Sequence, residues 1–220
     1  MSNSTLDHFA HYLNFKEFIL FLHQRIMLKM NTEKSADDTL DVEEFDHVGD
    51  VVLIVEDKSQ NIAKFLVSSK VLALASPVFA ALFSQNFSEG GRIIEGDRPE
   101  ITLRDDDPAV MRQILGILHY RDPGDEINAE MLSALAIHCD KYTCTGALRS
   151  WIKNWFTSIG PAKSVDDYGF LLLAAHFFRM PDSFASVSSK AQRDLTPDVL
   201  LTWEVHEHLN LLPRGVISVY

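Results

Sequence analysis

Histidine, aspartate and cysteine are the side chains of this chain that could bind a metal or move a proton, and their spacing argues against both uses. Of nine histidines, His8 and His11 stand three apart and His206 and His208 two apart. The second spacing does not bring two side chains to one helical face. Neither pair has a third ligand close by, so surface or capping roles are expected. Asp105, Asp106 and Asp107 are adjacent carboxylates of the kind that could share a cation or do acid–base work. They fall between an expected strand and an expected helix start, where acidic side chains complement the partial positive charge of a helix N-terminus. A structural role is therefore the reading.

Cys139 and Cys144 are the only cysteines. Two are too few for a disulfide framework, and Cys-x4-Cys lacks the second pair of ligands a zinc site needs. Two semi-buried thiols in a reducing compartment are expected. Gly90, Gly91 and Gly96 match neither the dinucleotide nor the phosphate-loop spacing, and there is no Gly-x-Ser-x-Gly elbow. No catalytic residue, metal or cofactor is expected, and function must come from surfaces.

Those surfaces need a scaffold, and the chain has enough apolar residues to build one. Its 220 residues are 46% hydrophobic and 23% charged, which suits one good core or one domain with an appendage. Twenty Lys and Arg against 31 Asp and Glu give a net charge of -11, so no direct nucleic-acid partner is expected. No apolar run approaches the roughly 20 residues that span a bilayer. Phe9 to Met30 comes nearest, but it is interrupted by His11, Lys16, Glu17, His23, Gln24 and Arg25 and lacks the features of a signal peptide. A cytoplasmic or nuclear protein without a membrane span is the expectation.

Four regions are expected. Residues 1–30 read as an amphipathic helix carrying Phe15, Phe18 and Leu22 on a wide apolar face, and residues 31–47 as a mobile acidic linker. Residues 48–158 open with a β-branched strand at Val51 to Val55, a polar turn, and a second strand at Ile62 to Val67 that pairs with it as a hairpin. A short helix from Lys70 to Leu74 follows, and Ser76-Pro77 caps a second one through Phe79 to about Phe83. An irregular loop from Ser84 to Pro99 is expected to hold a short edge strand at Arg92 to Ile94.

Glu100 to Leu103 reads as a third strand, and Asp107-Pro108 and Asn128 open two further helices, the second ending at Tyr142-Thr143. Another helix starts at about Cys144. Residues 159–220 then turn all helical, with a near capping box at Ser164 and Asp167, a helix from Pro181 to Arg193 and another from Thr196-Pro197 to Val205. Strands followed by a run of helices make an α+β order.

These residues resemble the BTB/POZ family, in particular its fungal members, over about Phe45 to Phe156. Gly49-Asp50-Val51-Val52 carries the likeness, as do Phe65 through Lys70 to Ser76-Pro77-Val78-Phe79, Ile101-Thr102-Leu103 before Asp105 to Asp107, and Asp140-Lys141-Tyr142 with Ala147-Leu148. Within these segments Asp50, Lys70, Ser76, Pro77, Phe79, Asp140 and Tyr142 are the fold-motif residues. The family commonly has His where Ser69 stands, a departure that alters local hydrogen bonding.

The resemblance implies a small sheet of three or more strands flanked by helical hairpins, with a helical extension that is a partial counterpart of the BACK region found after many such domains. It also implies a protein-interaction module, protein partners and frequent homodimers. In many members one surface binds a cullin scaffold through a hydrophobic-x-Glu motif, and Phe87-Ser88-Glu89 stands in that place. An alternative reading is a transcriptional co-regulator or scaffold that oligomerises without cullin. Dimerising members use an extra N-terminal helix, so Phe15, Phe18 and Leu22 are the residues expected to support weak self-association.

Overall fold

The computed structural model describes residues 41–85, 88–124, 127–196, 203 and 206–213. The expected N-terminal helix with Phe15, Phe18 and Leu22 lies outside them, as does most of the expected helix from Thr196-Pro197 to Val205. Residues Val42–Tyr220 fall in one compact unit. Among the described residues no helix is long and apolar enough to cross a membrane.

Four strands make one sheet in the order β1-β3-β2-β4. They are β1 (Val42–Glu44), β2 (Val51–Glu56), β3 (Ile62–Val67) and β4 (Glu100–Arg104). The β2–β3 hairpin is antiparallel, with Val51 opposite Val67, while β1 joins β3 and β4 joins β2 in parallel. Val51, Leu53 and Val55 are fully buried and Val52 nearly so. A central strand covered on both faces has this continuous apolar pattern.

The strand at Val42–Glu44 corrects the reading of residues 31–47 as a mobile linker. From Val42 onward this stretch is part of the fold. The Arg112 Nε donates to the Glu43 carboxylate at 2.7 Å, and the Arg121 guanidinium donates to the Glu44 carbonyl. Phe45 is buried, with its ring 5.6 Å from that of Phe65 and the Arg121 guanidinium 4.8 Å over it. Local composition made the segment look unable to order itself. Two arginines and one phenylalanine ring, all supplied by tertiary contacts, offset the entropy.

Eight helices of the described residues surround the sheet: α1 (Ser69–Ala75), α2 (Pro77–Leu82), α3 (Ser88–Ile94), α4 (Pro108–Leu118), α5 (Ala129–Lys141), α6 (Arg149–Ser158), α7 (Val165–Phe177) and α8 (Pro181–Asp194). Helix α3 corrects the expected edge strand at Arg92 to Ile94. The amide of Gly96 donates to the Ile93 carbonyl and that of Asp97 to the Arg92 carbonyl, with Gly96 at φ 88°. That is the reciprocal pattern of a glycine-terminated helix, so Gly96 is a helix stop and not a loop glycine. Helix α6 begins at Arg149, later than the expected start at about Cys144, because a turn through Thr145 to Leu148 comes first.

Helix α7 is buried on all sides from Gly169 to Ala175. A helix without a polar face must lie inside a core, and α7 packs along α5, whose Leu132, Leu135, Ala136 and Cys139 are also buried. A Cβ on Gly169 would stand 2.9 Å from side-chain atoms of Trp203 and Leu209, so these two side chains are seated directly on the α7 backbone. One hydrophobic cluster runs from Phe45 to Leu212.

Candidate interaction surfaces

The fold-motif residues come together at the helix starts. Ser68, the residue preceding α1, makes no side-chain cap. Asp50 does that work from 19 positions away: its carboxylate accepts from the Ser69 amide and from the Ser69 hydroxyl, both at 2.7 Å. Ser69, standing where histidine is common in the resembling family, therefore adds a second donor to the same carboxylate. Lys70 is exposed one residue further on.

Ser76 is fully buried and works in two directions. Its hydroxyl oxygen accepts from the Phe79 amide at 3.1 Å, capping α2, and its hydroxyl proton goes to the Tyr142 carbonyl at 2.5 Å. Pro77 occupies the first helical position, where a missing N–H costs nothing. The Phe79 and Tyr142 rings stack, with centroids 4.7 Å apart and planes within 6°. The α2 cap is thereby joined to the end of α5.

Sequence reasoning did not single out the group that completes this arrangement, Asp106. Its side chain is 1% exposed. It accepts from the Tyr142 hydroxyl at 2.5 Å and from the Lys141 ammonium at 2.7 Å, and His138 Nε2 lies 3.4 Å away. Burial, then the Asp106 charge, pushes the Tyr142 phenol well above its ordinary pKa. The neighbouring Asp107 performs the expected dipole and cap role, accepting from the Ala109 and Val110 amides. Asp-Lys-Tyr at 140–142 was a usable signal, since a buried carboxylate needs a cation and a hydroxyl to satisfy it. Asp140 itself lines a groove. Burial raises its carboxyl pKa, and the Arg179 and His176 charges pull it down.

Two half-buried histidines play one role in two places. His119 Nδ1 pairs with the Leu115 carbonyl at 2.8 Å and its Nε2 accepts from the Ser68 amide at 3.0 Å. His138 repeats this with the Ala134 carbonyl at 2.9 Å and the Asp107 amide at 3.2 Å. Both rings are neutral in this geometry, because Nε2 must be the acceptor. Burial holds both below the ordinary histidine pKa. No cluster of metal-binding side chains is found among the described residues.

Cys139 and Cys144 are both buried free thiols. Their spacing belongs to the end of α5: the Thr143 amide donates to the Asp140 carbonyl and the Cys144 amide to the Cys139 carbonyl, each at 3.0 Å, with Thr143 at φ 52°. The thiols supply the apolar contact that closes such a helix end. The hydrogen bond with Cys144, then burial, raises the Cys139 pKa, as suits an unreactive core thiol.

Of the expected cullin-contact pair, Phe87 lies outside the described residues. Glu89 is the second residue of α3. Gly90, next to it, is buried, and a Cβ there would lie 2.0 Å from the Ser84 carbonyl oxygen. No side chain fits, so the backbone of α3 is pressed onto the end of α2.

A family model for the BTB/POZ domain matches residues 39–153. No curated protein matches the chain.

Proposed function

The chain belongs to the BTB/POZ family, whose domain is a non-catalytic protein-interaction module, and from that premise we propose that it is a substrate adaptor of a cullin-based ubiquitin ligase. The supporting observation is the seat of Gly90 on Ser84. It fixes the first turn of α3 against α2, and Glu89 belongs to that turn, with Phe87 two residues before it. In this reading Phe87 is an aromatic anchor in a groove of the cullin and Glu89 a steering contact at the rim.

A pull-down with a cullin N-terminal domain tests it. Phe87→Ala should abolish capture and Glu89→Ala should weaken it. Absence of capture, or capture indifferent to both changes, rejects the adaptor role and leaves a co-regulator or scaffold that oligomerises without cullin.

The proposal extends to a fungal-type member acting in the cytoplasm or nucleus, with residues 159–220 as a partial BACK-like extension and weak self-association through Phe15, Phe18 and Leu22. Light scattering that finds a monomer at tens of micromolar, unchanged by deletion of residues 1–30, removes the self-association.

A further inference from the structure

Between the end of α5, the start of α6 and the turn from α7 into α8 lies an open groove of about 580 Å³. Its floor is apolar: Ile152 and Phe178 are buried, and Phe177 and Met180 half-buried. Arg149, Lys153 and Arg179 stand exposed in its lining. None of the three is in an ion pair with another described residue.

The chain as a whole carries a charge of -11, yet here three cations face two carboxylates, Asp140 and Asp182. Arg179 is near enough to Asp140 to act on its charge, and with Arg149 and Lys153 it still leaves the lining with one more positive than negative charge. Both helices that begin at the groove lack a side-chain cap, being preceded by Leu148 and Met180. The first amides of α6, and in α8 those of Asp182 and Ser183, since Pro181 has none, add to the positive character of the lining.

We propose that this groove docks an acidic, amphipathic peptide segment of a protein partner, with an apolar side chain against Phe177 and Met180 and carboxylates at Arg149, Lys153 and Arg179. Charge complementarity selects the occupant, since a basic segment would meet three cations. The site shares no residue with Phe87 or Glu89, so it would serve a client whether or not the cullin reading holds.

Fluorescence anisotropy with the full chain tests this, using three labelled peptides of one length. One alternates Glu with Leu and Phe, and in the others Gln or Lys replaces Glu. The acidic peptide should bind on the order of tenfold more tightly than either control, and more weakly as salt is raised. Arg149→Glu with Arg179→Glu should lose on the order of tenfold in affinity at an unchanged melting temperature. Arg193→Glu, at the far end of α8, should lose nothing.

Should the charge reversal unfold the chain, Arg149→Gln with Lys153→Gln gives the same reading, with a smaller loss expected. Equal affinity for the three peptides, preference for the Lys peptide, no binding of the acidic peptide, or indifference to the groove variants overturns the proposal. Capture of a cullin domain is not part of the readout, so the two hypotheses fail separately.

Discussion

The hydroxyl of Tyr142 donates to the carboxylate of Asp106 at 2.5 Å, across 36 positions of sequence and beneath the surface of the domain. Through it the end of α5 is tied to the turn that opens α4. The Tyr142 carbonyl meanwhile receives the Ser76 hydroxyl. One tyrosine thus fixes three helix ends at once.

Tyr142→Phe should lower unfolding stability by about 2 kcal/mol, since it takes a donor from a buried carboxylate while keeping the ring stacked on Phe79. The check is urea denaturation as a double-mutant cycle. Asp106→Ala combined with Tyr142→Phe should cost clearly less than the sum of the single changes. Additive losses would mean that the two groups do not depend on each other.

Acidification should destabilise the fold in the range below the ordinary histidine value of 6.5. The folded pKa values of His119 and His138 lie below those of the unfolded chain. The unfolded state therefore binds more protons in that window, and stability rises with pH through it. The stabilisation is complete above the unfolded pKa and is lost as pH falls toward the folded one. Asp140, whose folded pKa is raised above 3.8, acts in the opposite sense and at lower pH. Urea midpoints measured from pH 8 to pH 5 should fall, and His119→Gln with His138→Gln should flatten the slope.

Three of the described helices end on residues that take the left-handed conformation without being glycine, one of them α7 with Arg179 at φ 56°. Tyr120 follows α4 at φ 60° and is 92% exposed, and Thr143 follows α5 at φ 52°. Thr143 is β-branched, which makes that conformation costly. Glycine at either position should stabilise the protein by up to about 1 kcal/mol, the relief of strain outweighing the greater freedom of the unfolded chain. Thermal denaturation of Tyr120→Gly and Thr143→Gly should show midpoints raised by a few degrees, more for Thr143.

Truncation after Ser158 should not leave a well-packed domain. It removes α7, buried from Gly169 to Ala175, and uncovers the face of α5 against which it packs. The shortened chain should bind a hydrophobic dye and lose its near-ultraviolet circular dichroism while keeping much of its far-ultraviolet signal. A cooperative unfolding transition equal to that of the full chain would show that α7 is dispensable.

What could be read from the sequence was what neighbours decide. Ser76-Pro77, Asp107-Pro108, Asn128 and the Ser164 with Asp167 box all start helices, as cap chemistry within three residues dictates. The hairpin of β2 and β3 follows from two apolar runs and a polar turn. What escaped was decided at a distance. Asp50 caps α1 from another element, Val42–Glu44 becomes a strand only because β3 and two arginines receive it, and Asp106 differs from Asp105 and Asp107 only in what surrounds it. Gly96 was local but ambiguous, since a helix stop and a loop glycine look alike without the preceding turn.

The two outer strands of the sheet bear on how the protein behaves when crowded. An open strand edge is a template on which other chains can add and grow into aggregates. Here one edge is only three residues long and carries Glu43 and Glu44, and the other, β4, begins after Pro99 and exposes Glu100 and Arg104. Short, charged borders discourage further strands from joining. The apolar run of β2 sits between them, out of reach of a neighbouring chain, so the protein can be concentrated without its most β-prone segment seeding a fibre.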